Sequence, residues 1–137
     1  MTIAEVSRRY AISADTLRYY ERIGLIPPVP RNKSGIRDYD EESCRWIELM
    51  KCMRAAGVGI EALIEYVALF QRGDETIDAR KALLIEQRNQ LIARMEDMQA
   101  SLERLNDKID RYGQGLMVKE QQLRRPKEES GEDKKPV

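Results

Sequence analysis

Two sets of side chains in this sequence could carry chemistry: a pair of thiols, and a cluster of guanidinium and phenol groups. Cys44 and Cys52 stand eight residues apart. On one predicted helix that is about 12 Å along the axis. A disulfide needs Cα atoms within ~7 Å, so the two cannot pair within one chain. Nor can they share one zinc ion unless a second chain contributes. The sequence has no histidine, which removes imidazole acid–base catalysis and imidazole metal ligation. A thiol enzyme would need another base for Cys52, and no oxyanion-type motif is present. We therefore expect no enzyme, no metal and no cofactor.

The second set lies between Thr16 and Arg37. Arg18, Arg22, Arg31, Lys33 and Arg37 face a single acid, Glu21, which leaves a local net charge of +4. The whole chain balances 24 basic against 24 acidic residues, so the remainder is net acidic. Concentrated positive charge is what phosphates respond to. On composition alone the cluster fits a solvated face equally well. Arg18 and Arg22 are four apart and share a helical face. Tyr19 and Tyr20 cannot both point inward, so one can fill core while the other offers its hydroxyl to a phosphate. Tyr39 either reaches DNA or braces a loop. The candidate contact set is Thr16, Arg18, Tyr19, Tyr20, Arg22, Arg31, Lys33, Arg37 and Tyr39. Arg18, Tyr20, Arg37 and Tyr39 are favoured within it.

These groups need elements to hold them. Thr2-Ile3-Ala4-Glu5 reads as a capping box opening a first helix. Ala11-Ile12-Ser13 makes a short turn, and Ser13 caps a second helix from Ala14 to about Ile23. Gly24 supplies a left-handed stop and Pro27 prevents continuation. Two short helices joined by a tight turn form a helix-turn-helix candidate. Arg31 and Ile36–Tyr39 could flank a small β-hairpin wing, with Gly35 at positive φ. Asp40 caps a third helix over 41–56, ended by Gly57. Ile60 to Phe70 form a fourth, stopped by Gly73, and Asp74 caps a fifth.

The fifth helix carries Leu84, Leu91, Met95, Met98, Leu102, Leu105, Ile109 and Tyr112 at alternating steps of three and four. Only Arg88 interrupts the series. This is a coiled-coil seam of about four heptads, on a helix roughly 55–60 Å long. Left bare it would be a large apolar liability, and a second copy is the simplest cover. The predicted fold class is mainly α: a winged helix-turn-helix head over 1–73, then a dimerisation helix over 74–112. The two helices of a homodimer would form an antiparallel coiled coil. Gly113 and Gly115 should break the helix, a short helical segment follows over 113–125, and 126–137 form a charged, disordered tail. No stretch approaches the ~20 apolar residues of a membrane span, and the N-terminus lacks a signal-peptide layout. A cytoplasmic protein with no membrane partner is expected.

The ordered series Leu17-Arg18-Tyr19-Tyr20-Glu21, Gly24-Leu25-Ile26 and Arg37-Asp38-Tyr39 resembles the MerR family of transcription regulators. The resemblance extends through Trp46-Ile47-Glu48 to the coiled coil and covers roughly residues 1–112. Lys51-Cys52-Met53-Arg54 is similar to the NmlR/AdhR branch, which is linked to thiol stress and reactive aldehydes. Metal-sensing branches carry cysteines beside the coiled coil, and none stands there in this sequence.

The resemblance implies a dimer that binds a near-palindromic site in double-stranded promoter DNA. It also implies bending and untwisting of an overlong spacer, which would affect RNA polymerase only through the promoter. It makes Cys52 a candidate sensor thiol, whose bland alternative is a small buried hydrophobe. Cys44 has no counterpart in that branch. The competing reading is a coiled-coil adaptor without an effector, which leaves the ordered Arg and Tyr motifs unexplained.

Overall fold

The computed structural model describes residues 1–114. Within them the chain forms α1 (Ile3–Tyr10), α2 (Ala14–Arg22), α3 (Glu41–Ala55), α4 (Ile60–Gln71) and α5 (Ile77–Gln114). They belong to two compact units, Met1–Ile92 and a second that begins at Ala93.

Local chemistry sets most boundaries. The Glu5 amide donates to Thr2 Oγ1 at 3.2 Å, and the Thr2 amide donates to the Glu5 carboxylate at 2.8 Å. That reciprocal pair starts α1. Ala11 ends it at φ 56°, a left-handed conformation unusual for alanine and costing about 1 kcal/mol. The cost is offset by burying Ile12 immediately afterwards. Ser13 Oγ accepts from the Thr16 amide at 3.1 Å and starts α2. Gly24 ends it at φ 83°, where the Leu25 amide donates back to the Tyr20 carbonyl at 2.8 Å. Asp40 starts α3 by accepting from both the amide and the hydroxyl of Ser43 at 2.8 Å. Those two bonds hold its carboxyl below the usual range.

The core lies in the first unit. Val6, Leu17, Leu25, Ile47 and Met50 are fully buried where α1, α2 and α3 meet. Trp46 packs edge-on against Phe70, with ring centroids 5.0 Å apart, and so joins α3 to α4.

Four expectations change. No strands form among the described residues; the expected hairpin reduces to one antiparallel bridge, Arg31 to Arg37. The segment is too short, and too occupied by side-chain bonds of its own, to build a ladder. Asp74 does not cap α5; it opens a 3-10 turn, Asp74–Thr76, and α5 begins at Ile77. Gly113 lies inside α5, which runs on to Gln114. A glycine there costs helix propensity of about 1 kcal/mol but does not forbid a helix. Tyr39 is 1% exposed and belongs to the core. The predicted segment and tail beyond Gln114 lie outside the described residues. No described helix is long and apolar enough to cross a membrane.

Candidate nucleic-acid interface

α2 turns one face to the core through Leu17 and presents Arg18, Tyr19 and Arg22 outward. The two tyrosines take the opposite roles to those favoured from sequence. Tyr20 packs against the core, whereas Tyr19 is 42% exposed. The Arg22 guanidinium lies 5.2 Å above the Tyr19 ring, so cation and ring form one outward patch. Thr16 is half-buried, and its hydroxyl accepts from Ser13 Oγ at 2.8 Å. It belongs to the helix start.

The loop after α2 is held by its own hydrogen bonds. The Asn32 amide donates to the Ile36 carbonyl at 2.8 Å, and the Asp38 amide to the Pro30 carbonyl at 2.7 Å. Asn32 Oδ1 accepts from the amides of Ser34 and Ile36. Gly35 turns the tip at φ 80°, and its carbonyl accepts from Arg31 Nη1 at 2.9 Å. The loop lies beside α1 and α2, leaving an open groove of about 250 Å³ lined by Ile3, Arg18, Arg31, Gly35, Ile36 and Arg37. The N-terminal ammonium closes the base, donating to Asp38 at 3.0 Å and to the Tyr39 carbonyl at 2.7 Å.

Charge on this surface is less uniform than counting suggested. Arg37 Nε donates to Glu21 at 2.6 Å, with both side chains largely buried. Arg18 Nη1 meets Asp15 at 2.9 Å. Asp15 lies just outside the stretch in which the sequence showed five cations, so it escaped that count. Arg22, Arg31 and Lys33 are exposed, and no described carboxylate forms a salt bridge with them. The free positive face is therefore Arg22, Arg31 and Lys33, with Arg18 held by an exposed acid. Beneath it sits Tyr39, whose hydroxyl is buried without a hydrogen-bond partner. Burial pushes that phenol upward.

Glu21 was expected only as a dilution of the positive charge. It is the tie between α2 and the loop, accepting from Arg37 and, at 2.9 Å, from the Val29 amide. Burial alone would raise its pKa, but those hydrogen bonds and the Arg37 charge hold the carboxyl below the ordinary 4.5. A depressed folded pKa gives stability that is present above the unfolded value and lost as pH falls through the folded one. Glu21→Gln should therefore cost about 1–3 kcal/mol at neutral pH. The gap between variant and wild type should close below pH 4.5. Urea melts at pH 7 and pH 3 check this; equal gaps at both would remove the ion pair as the cause.

The thiols differ in setting. Cys52 is exposed, which the sequence left open. Cys44 is buried, its Sγ 3.9 Å from Met1 Sδ. Among the described residues no group of three or more histidine, cysteine or acidic side chains could hold a metal ion.

Two short helices locked at a tight turn, with exposed cations on the second and on the following loop, define a helix-turn-helix DNA-binding head. A family model for MerR HTH family regulatory proteins matches residues 1–69. HTH-type transcriptional regulator AdhR of Bacillus subtilis (strain 168) is 61% identical over 92 residues, 67% of this chain and 66% of that one. The match thus spans just under two thirds of that relative. A Listeria monocytogenes chain assigned to the MerR family superposes with a TM-score of 0.84 at 50% identity, covering 90% of this chain and 93% of that one. HiNmlR, a MerR family regulator lacking the sensor domain and bound to promoter DNA, superposes at 0.75 with 26% identity, covering 85% and 93%. The chain belongs to the MerR helix-turn-helix family: it is a DNA-binding transcription regulator and not an enzyme.

Proposed function

We propose that two copies join along α5 as an antiparallel coiled coil and grip a near-palindromic promoter site. α2 and the 31–37 loop of each head would make the contacts, the loop serving as a wing. The observation that carries this reading is the bare apolar stripe on α5. Met95, Met98, Leu105 and Ile109 are 59–70% exposed. A stripe of that kind needs a cover, and a copy of itself matches it in length and period. The free cations Arg22, Arg31 and Lys33 supply phosphate contacts, and the DNA-bound state of HiNmlR supports the same use here. Contacts that are mainly to phosphates imply readout through DNA deformability rather than base edges.

Sedimentation and gel retardation with the full chain test the reading together. A dimer that prefers its own upstream promoter duplex over random duplex by at least ~10³-fold is expected. A stable lone chain without preference would overturn it, and a dimer without preference would leave the adaptor reading.

We further propose that Cys52 senses reactive aldehydes or thiol stress. Its exposure supports access by an electrophile. In an aldehyde-responsive reporter, Cys52→Ser should abolish induction and Cys44→Ser should leave it unchanged. Wild-type induction in both variants would remove the thiol from the mechanism.

A further inference from the structure

Two polar side chains are buried among the described residues, Ser43 and Thr76. Ser43 belongs to the Asp40 cap. Thr76 lies at the junction between α4 and α5, 4% exposed. Its hydroxyl has the Leu69 carbonyl at 2.6 Å and the Gly73 carbonyl at 2.8 Å as acceptors. It accepts in turn from Arg80 Nε at 3.0 Å, while Arg80 Nη2 reaches the Gly73 carbonyl at 3.4 Å. The same guanidinium lies 5.4 Å from the Phe70 ring centroid, and Phe70 stands edge-on to Trp46 of α3. One unbroken series of contacts thus runs from α3 through α4 to the first turn of α5.

The backbone between the helices is equally constrained. Gly73 has φ 100° and ψ −169°, a region that only glycine occupies without strain. Nothing lies within 4 Å of where a Cβ would stand, so conformation and not space requires the glycine. A swinging hinge would leave its last-turn carbonyls to water. Here the Leu69 and Gly73 carbonyls, which accept the Arg72 and Thr76 amides, also take the buried Thr76 hydroxyl of the 3-10 turn, and Gly73 takes the Arg80 guanidinium of α5 as well.

We propose that Thr76 and Arg80 are positioning residues: they clamp the head to the start of α5 and so fix the half-site spacing that a dimer accepts. The inference rests on the dimeric DNA-binding reading above. Two heads held rigidly on a common seam can meet only one separation and rotation along a duplex. One inserted base pair changes these by about 3.4 Å and roughly 34°. A loosened junction would absorb that change.

The probe is the duplex that the full wild-type chain recovers from a randomised library, with and without one base pair inserted between its half-sites. Wild type should lose at least roughly tenfold in affinity on insertion. Thr76→Val and Arg80→Gln should lose less than about threefold, yet bind a single half-site as wild type does. Thr76→Ser, which keeps the hydroxyl, should keep the wild-type discrimination. Circular dichroism establishes that each variant is folded, and if Thr76→Val is not, the Arg80→Gln and Arg80→Lys pair decides. Wild-type discrimination in the folded Val and Gln variants overturns the proposal. A wild-type chain that recovers no preferred duplex sinks the dimeric reading first, and this one with it.

Discussion

Met98→Asp combined with Leu102→Asp should leave the chain monomeric at concentrations where wild type, on the proposed reading, sediments as a dimer. Met98 is 70% exposed and Leu102 49%, so in the single chain the aspartates would stay in water at little cost. In a shared seam they would place four carboxylates in an apolar interface. Each unpaired buried charge costs several kcal/mol even after relaxation. A total above about 4 kcal/mol raises the dissociation constant by at least ~10³-fold. The head's near-UV spectrum should not change, because its core shares no residue with this stretch. Ala100→Asp, between the two but off the seam, is the control and should remain dimeric. A double variant that still sediments as a dimer would remove α5 as the joining surface.

The largest effect on DNA binding should come from the triple variant Arg22→Ala, Arg31→Ala and Lys33→Ala. Each cation that neutralises a phosphate contributes about 0.9 to the slope of log K against log salt. Three lost per head should flatten the slope by roughly 2.7 per head. Affinity near physiological salt should fall on the order of 100- to 1000-fold per head, if each contact is worth ~1 kcal/mol or slightly more. Arg37→Ala should act differently. Its guanidinium is committed to Glu21 at 2.6 Å, so its loss should loosen the loop and lower stability more than it flattens the slope. A salt titration separates the two, and an unchanged slope in the triple variant would place the duplex on another surface.

Most of the fold was legible because its signals are local. Thr2 with Glu5, Ser13, Gly24, Asp40, Gly57 and the seam steps on α5 each act within a few residues, and each lies where the spacing predicted it. What was hidden depends on contacts distant in sequence. That Glu21 ties Arg37 rather than diluting the positive charge requires knowing that α2 and the loop touch. That Tyr39 is buried, and that Tyr19 rather than Tyr20 faces out, depends on how α2 and the segment before α3 pack on the core, which a pair of adjacent tyrosines does not encode. Asp15 is readable as the i,i+3 partner of Arg18, standing one residue before the cation-rich stretch that begins at Thr16. The Thr76–Arg80 pair has a sequence signal as well, an i,i+4 spacing that follows Gly73 closely, but nothing local distinguishes it from an exposed polar pair.

The single bridge between Arg31 and Arg37 bears on how copies of this chain can stick together. An unpaired sheet edge is a row of amides and carbonyls open to any other strand, and is where intermolecular β-pairing and fibrillar aggregation begin. The described residues offer no such edge, and the loop's own amides and carbonyls largely bond to one another. On the dimeric reading proposed above, self-association would fall to side chains on α5, whose period and charge would select a mate. Recombining α5 segments between related chains should therefore exchange pairing preference without opening a route to fibrils.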